Sequence, residues 1–280
     1  MSNKNITIVI TSFRSEKKIL NCVKSLGKDY KIIIIENSND KNLKNKLEKE
    51  YPNIKCLLSS ENLGYAKGNN LGLSMVKTKY AFIINPDAEV ENQTINNFFI
   101  TAKSNPNFAI IAPYIQESKN VSSSDFKRGI FEVKNVKGFA MFLNLDEFKD
   151  IGFFDENFFI YFEEIDLCRR LIKNKKKIFL DTKIRVNHLG GTSHDDSINY
   201  EMEKSRNWHW MWSTFYFHRK HYGYIFAIMK ILPKFLSSLL KMIFFKITSN
   251  KEKKDIYSCR FYGILNSILL KKSWYRPKIY

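Results

Sequence analysis

Short β-branched runs and amphipathic stretches alternate along the first part of the chain. Ile6–Ile10 is an apolar run ending in Thr11-Ser12-Phe13, and Ile19, Cys22, Val23 and Leu26 then recur at helical spacing. Lys31–Ile35 is apolar enough to be buried on both faces. Lys41–Tyr51 reads as a polar surface helix, Ile54–Leu58 as a third strand, Ala66–Val76 as a helix and Tyr80–Ile84 as a fourth strand. This alternation predicts a parallel α/β sheet over residues 1–110.

The rhythm then changes. Phe131–Val136 and Phe139–Leu145 read as strands with no long helix between them. Glu163–Lys173 reads as a helix, and Lys177–Leu180 and Ile184–Asn187 as short strands. From Tyr200 onward the pattern is helical and strongly aromatic. Tyr222–Ile247 is largely apolar but carries Lys230, Pro233, Lys234, Lys241 and Lys246. A membrane-crossing helix needs about 20 apolar residues with few charges, and Pro233 should break or kink a helix here. Two readings fit: an amphipathic segment lying in a membrane interface, or a helical hairpin packed on the rest of the protein. Brief low-complexity spots occur at Ser122-Ser123-Ser124 and Lys173–Lys177.

Composition sharpens this picture. The 280 residues include 23 Phe and 14 Tyr, enough for a real core. The net charge of +18 is uneven: residues 1–199 carry 30 Lys/Arg against 24 Asp/Glu, and residues 200–280 carry 16 against 4. Such a tail seeks a polyanion, although much Lys is simply solvated surface. Cys22, Cys56, Cys168 and Cys259 form no CxxC-type clip, so reduced, buried thiols are expected. Met1 to Asn5 lead directly into a strand with no signal-peptide pattern.

Candidate chemistry falls at the ends of the apolar runs. No GxGxxG or GxxxxGK[ST] motif occurs. The second strand ends in Glu36-Asn37-Ser38-Asn39-Asp40. A carboxylate there faces the crevice in which open α/β sheets bind ligands, or it belongs to a solvated turn. Gly64, Gly68 and Gly72 recur every four residues, either admitting a ligand or packing a helix on the sheet. Asn85-Pro86-Asp87 presents Asp87 at the carboxyl edge of the sheet, as a ligand for a hard cation or as an ordinary turn. In Phe158–Arg170, aromatic residues precede Glu163, Glu164 and Asp166. Acids in a helix's first turn complement its dipole, and beside Phe and Tyr one of them could serve as a general base. Arg169 and Arg170 could hold phosphates or pair with those acids. His188, ahead of Gly190-Gly191, is either a metal ligand or a structural histidine.

In this order and spacing the motifs resemble the family 2 glycosyltransferases of the GT-A fold, in particular the rhamnosyltransferase-like branch of cell-surface polysaccharide and O-antigen synthesis. GFFDENFFIYFEEIDLCRRL is the most specific stretch, and the resemblance spans about residues 5–195. It implies an α/β fold with a Rossmann-like, mostly parallel mixed sheet and a helical C-terminal extension. Residues 1–199 would be the catalytic domain (1–110 nucleotide-binding, 111–199 acceptor and catalytic) and 200–280 the extension. The resemblance further implies that Thr11, Phe13 and Glu36 contact the nucleobase and ribose. Asn62, Gly64 and Asn70 would shape the nucleotide pocket; Asn85 is expected to give polar support, and Arg169 is a candidate nucleotide-sugar contact on its own chemistry. Asp87 and His188 would hold Mg²⁺ or Mn²⁺, and Glu164 would act as general base, with Glu163 the alternative and Asp166 beside them. Two departures stand out: Asn85 replaces the first acid of the DxD-like motif, and Glu36 and Glu164 stand where Asp is usual.

The implied reaction is inverting transfer from dTDP-rhamnose, or another dTDP- or UDP-sugar, to a polyprenyl-diphosphate-linked saccharide. The basic, aromatic tail would suit an anionic membrane, placing the protein peripherally on the inner face of a bacterial plasma membrane. The competing class is a degenerate GT-A domain acting as a binding or assembly partner. Nucleic-acid binding is suggested by charge alone, with no motif for it.

Overall fold

The computed structural model describes residues 5–114, 128–188 and 193–277. The Ser122–Ser124 spot and Gly190-Gly191 therefore lie outside the described residues. The chain divides into two compact units. The first comprises Met1–Leu63, Lys67–Phe154 and Leu167–Asp195; the second comprises Gly64–Ala66, Asp155–Asp166 and Asp196–Tyr280.

The first unit is built on an eight-stranded sheet. Strands β1 (Ile6–Ser12), β2 (Lys31–Glu36), β3 (Ile54–Leu58) and β4 (Tyr80–Ile84) pair in parallel in the order β3-β2-β1-β4. The helices α1 (Glu16–Leu26), α2 (Lys41–Glu50) and α3 (Gly64–Ser74) follow the first three strands. After β4 come a short strand β5 (Ala88–Val90), helix α4 (Thr94–Ser104), and strands β6 (Phe108–Pro113), β7 (Ile130–Glu132) and β8 (Ala140–Asn144). Helix α5 (Glu163–Lys173) precedes β9 (Lys177–Asp181) and β10 (Val186–His188). The sheet continues β4-β8-β6-β9-β7; β8 runs antiparallel to β4 and β6, β9 parallel to β6, and β7 antiparallel to β9. The mixed, mostly parallel sheet expected from the sequence is therefore present.

Local chemistry accounts for the boundaries. Asp40 accepts hydrogen bonds from the backbone N–H of Asn42 and Leu43 at 2.9 and 3.0 Å, capping α2. Gly27 ends α1 at φ +73°, a left-handed conformation that glycine adopts without strain. Helix α4 was not anticipated. Ile95, Phe98, Phe99 and Ala102 give it a buried face, and Phe98 and Phe99 pack on Phe142 of β8 at ring-centroid distances of 5.1 and 5.7 Å. Tyr80 and Phe108 stack on the same ring, so Phe142 sits at the centre of an aromatic cluster.

The second unit contains three long helices: α6 (Asn199–Tyr222), α7 (Tyr224–Ile247) and α8 (Lys251–Ile268). Met211, Phe215, Ala227, Ile231 and Ile264 form one core among them, and Trp208, Trp212 and Cys259 another. At Gly263 an added Cβ would collide with the carbonyl of Trp208, so only glycine lets α8 approach α6 there. Of the two outcomes expected at Pro233, a break or a kink, the break does not occur: α7 runs unbroken past it. Proline leaves one carbonyl, four residues back, without its N–H partner. That residue is Met229, which is 61% exposed, so water can satisfy the carbonyl. Among the described residues no helix is long and apolar enough to cross a membrane.

Candidate functional site

The carboxyl ends of β1, β2 and β4 carry most of the candidate residues in the first unit. The chain reverses its direction of travel across the sheet at β1, which lies between β2 and β4. In open α/β sheets the ligand crevice forms outside the strand ends at such a point. Ser12 lies opposite Glu36 in the β1–β2 register. Thr11 and Phe13 flank Ser12 and are half-buried, and the Thr11 hydroxyl is buried with no hydrogen-bond partner among the described residues.

Asp87 and His188 are brought together by a feature invisible in the sequence pattern. Strands β5 and β10 form a separate antiparallel ribbon in which His188 lies opposite Ala88. His188 Nε2 thereby comes to 3.5 Å from Asp87 Oδ1. The imidazole is stacked on Phe139, centroids 4.4 Å apart and planes 17° apart, which fixes its orientation. Below the turn, Cys22 Sγ donates to the Asn85 carbonyl at 3.6 Å, and the Asn85 N–H donates to Phe139 O at 2.8 Å. Burial, reinforced by the charges of Asp87 and Glu89, pushes the Cys22 thiol far up. All four cysteines are buried, and none is in a disulfide among the described residues.

Asp87 itself is buried, and neither carboxylate oxygen has a hydrogen-bond partner among the described residues. A buried carboxylate without hydrogen bonds is costly unless something neutralises it. No group of three or more His, Cys, Asp or Glu suited to a metal occurs among the described residues. A hard divalent ion bound with a diphosphate needs only one or two protein ligands, the rest being phosphate oxygen and water. The Asp87–His188 pair fits that donor set.

Other candidates are engaged locally. Glu36 is fully buried and accepts from Ser38 N at 3.1 Å, from Asp40 N at 2.7 Å and from the Ser38 hydroxyl. Its extra methylene lets it fold back and organise its own turn. Asn70 uses both ends of its amide on one backbone residue: Nδ2 donates to Phe154 O at 2.9 Å and Oδ1 accepts from Phe154 N at 3.0 Å. Asn70 is thus committed to tying α3 to the chain at Phe154. Of the glycine series, Gly68 and Gly72 abut Thr11 and Val9 of β1, so helix–sheet packing accounts for both. Asn62 and Asn85 are half-buried, as is Arg169 on α5. Its neighbour Arg170 donates to the carbonyls of Ile151 at 2.9 Å and Phe153.

In the second unit the acids follow a strained stretch of backbone. Tyr161 and Phe162 both have φ of +72°. Consecutive bulky residues in this region cost about 1–3 kcal/mol each and persist only when packing holds them. Trp210 contacts both rings at 5.2 and 5.4 Å, and Phe217 contacts Phe162 at 5.2 Å. Gly64, at φ +75°, has no room for a side chain beside the Phe159 carbonyl. That carbonyl accepts the Tyr65 N–H at 2.8 Å.

The three acids separate into different roles. Glu163 is buried, and its Oε2 has no hydrogen-bond partner among the described residues. Burial, with the adjacent Glu164 charge, holds its carboxyl well above the ordinary value of 4.5. Of the two acids, Glu163 is thus the one whose burial disfavours the charged form. Burial and then the charges of Glu163 and Glu164 push the Tyr65 hydroxyl well up, and nothing in the sequence pattern singled out this neighbour. Asp166 is fully buried and ion-paired, with Lys220 Nζ at 2.6 Å and His221 Nε2 at 2.8 Å. Asp166 thus ties the first turn of α5 to the end of α6. Asp166→Ala should lower stability by about 3 kcal/mol in urea unfolding. This is the low end for a buried pair, because Lys220 is 27% exposed and keeps Asp155 at 2.9 Å.

A family model described as Glycosyl transferase family 2 matches residues 7–169. The chain is 26% identical over 190 residues to the low-salt glycan biosynthesis hexosyltransferase Agl10 of Haloferax volcanii, covering 59% of this chain and 61% of that protein. It is 25% identical over 247 residues to rhamnosyltransferase WbbL of Escherichia coli K12, covering 75% and 91%. Among solved structures it resembles S. aureus TarS (TM-score 0.54, 16% identity), spanning 74% of this chain but 39% of that one. It also resembles the mannosyltransferase PcManGT from Pyrobaculum calidifontis in complex with GDP-Man and Mn²⁺ (TM-score 0.58, 7% identity), covering 96% and 88%. These structural likenesses bear out the expected fold. With the family model spanning more than half of its length, the chain belongs to glycosyl transferase family 2.

Proposed function

We propose that the protein is an inverting, metal-dependent glycosyltransferase. The observation that carries this reading is Asp87: a buried carboxylate with both oxygens lacking hydrogen-bond partners among the described residues, beside an oriented His188. Asp87 and His188 would hold Mg²⁺ or Mn²⁺. When bound, the ion supplies positive charge that offsets the diphosphate's negative charge as it departs. That PcManGT was solved with GDP-Man and Mn²⁺ supports this choice.

Glu164 takes the proton of an acceptor hydroxyl. The hydroxyl oxygen forms its bond to the anomeric carbon while the bond from that carbon to the nucleoside diphosphate breaks. One displacement inverts the configuration. Glu163, whose burial disfavours its charged form, limits the negative charge beside the base. Glu36, through Ser38 and Asp40, holds the turn after β2 that would meet the nucleobase and ribose, with Thr11 and Phe13 alongside.

The donor is dTDP-rhamnose or another dTDP- or UDP-sugar, a reading supported by the likeness to rhamnosyltransferase WbbL. The acceptor is a polyprenyl-diphosphate-linked saccharide in O-antigen or other cell-surface polysaccharide synthesis. The protein works peripherally at the inner face of a bacterial plasma membrane.

A thermal-shift panel of nucleotide-sugars, with and without Mn²⁺, tests the reading. One dTDP- or UDP-sugar should raise the Tm, and only with the metal present. A ligand at a hundred times its Kd stabilises by about 2.7 kcal/mol, ample to detect. No shift from any nucleotide-sugar under either condition would overturn the proposal.

A further inference from the structure

Helix α7 buries one face and leaves another bare. Ala227, Ile231 and Ser238 are buried within the three-helix unit. On a different side, Ile225, Met229, Leu232, Leu236 and Leu240 are exposed, and the row continues through Ile243 to Ile247. These positions follow one another by three or four residues, so at about 100° per residue they form a single stripe along the whole helix. The exposures are large: 76% at both Ile225 and Ile247, and 67% at Leu240. A continuous apolar stripe of this length is far more than scattered surface hydrophobes, and it calls for a partner.

Charge identifies that partner. The 24 residues of α7 include four lysines and no acid. By the same helical geometry Lys230, Lys234 and Lys241 share one flank, about a third of a turn from the stripe. The ends of the helix are basic as well. Lys251 and Lys253 open α8 just beyond Ile247, and both are exposed. The Tyr224 hydroxyl donates to Ile268 O at 3.2 Å, which places the exposed Leu269-Leu270-Lys271-Lys272 turn at the other end. Apolar residues on one face and lysines along its rim describe a helix lying in the plane of an anionic membrane surface. Lysine stems can lie along the apolar zone while their ammonium groups reach lipid phosphates.

We propose that the exposed stripe of α7, with its lysine rim, is the surface by which this protein docks on an anionic lipid bilayer. This deepens the membrane-surface reading given under the proposed function and rests on that reading. It does not depend on which sugar is transferred.

The test is co-sedimentation of the full chain with vesicles, without donor or acceptor. Wild type should bind phosphatidylcholine vesicles containing about 30% phosphatidylglycerol at low salt at least tenfold more tightly than pure phosphatidylcholine. Binding should weaken as salt shortens the screening length from about 10 Å at 0.1 M to about 3 Å at 1 M. Leu236→Glu/Leu240→Glu should lose at least about tenfold in vesicle affinity at unchanged Tm. Ile100→Glu, equally exposed but on α4, should bind like wild type. Should the leucine variant fail to fold, Lys230→Glu/Lys241→Glu carries the test, with the same loss expected.

If wild type ignores anionic vesicles at low salt, both the docking surface and the membrane-surface reading fall. If wild type binds and the folded α7 variants bind equally well, the membrane reading stands and the assignment to α7 is overturned. If light scattering shows a dimer that Leu240→Glu makes monomeric, with no vesicle binding, a second copy covers the stripe and the proposal is wrong.

Discussion

Asp87→Ala is expected to lower kcat/KM for sugar transfer about a thousandfold, or ~4 kcal/mol of transition-state stabilisation, without costing stability. The two effects have one origin. Both oxygens of the buried carboxylate lack hydrogen-bond partners among the described residues, so in metal-free protein the group is a liability. In buffer with chelator, the variant should melt at or above the wild-type temperature. Added Mn²⁺ and donor should raise the Tm of wild type and leave the variant nearly unmoved. A residue that merely held the Asn85-Pro86-Asp87 turn would behave the other way, losing stability on truncation. Transfer within about tenfold of wild type, or an equal Mn²⁺-dependent shift in the variant, would remove Asp87 from the metal site.

Glu164→Gln should lower kcat about a hundred- to ten-thousandfold, the range for loss of a general base. Glu163→Gln should cost less than about tenfold, because glutamine matches the neutral carboxylic acid in shape and charge. Stability separates the pair independently. The Glu163 pKa in the folded chain is raised above its unfolded value near 4.5. Its contribution to stability is therefore fully present below that unfolded value and is lost as pH rises through the folded one. Glu163→Gln lacks this dependence, so its Tm should gain on wild type as the pH rises above the unfolded value near 4.5. Melting curves across that range, beside kcat for both variants, decide the matter. If Glu163→Gln is the inactive variant and Glu164→Gln retains transfer, the base is Glu163.

The parallel half of the sheet was legible because β1, β2 and β4 are buried on both faces, so continuous apolar runs stand out. Helix α4 was missed although Ile95, Phe98, Phe99 and Ala102 carry a helical period; the polar pair Asn96-Asn97 interrupts it. Ile184–Asn187 anticipated part of β10, but β5 and its ribbon pairing with β10 could not be read, since a three-residue strand shows no period. Yet that ribbon is what sets His188 beside Asp87. The motifs marked where chemistry collects but not how each residue is used. Asp166 stands two positions from Glu164, and only the return of α6, with Lys220 and His221, commits it to an ion pair. Asn70 lies in a glycine-rich, ligand-like stretch, and its amide is taken by a backbone residue far along the sequence. Pairings across such sequence distances leave no local signature.

The buried thiols make the molecule self-reporting. Alkylation requires the thiolate, and burial suppresses it in Cys22, Cys56 and Cys259. Cys22 and Cys56 belong to the first unit and Cys259 to the second. Timed exposure to iodoacetamide, followed by peptide mass spectrometry, would record when each unit opens, with no label or added tryptophan. Because Cys22 donates to the Asn85 carbonyl, its labelling rate would also register loosening of the turn that carries Asp87.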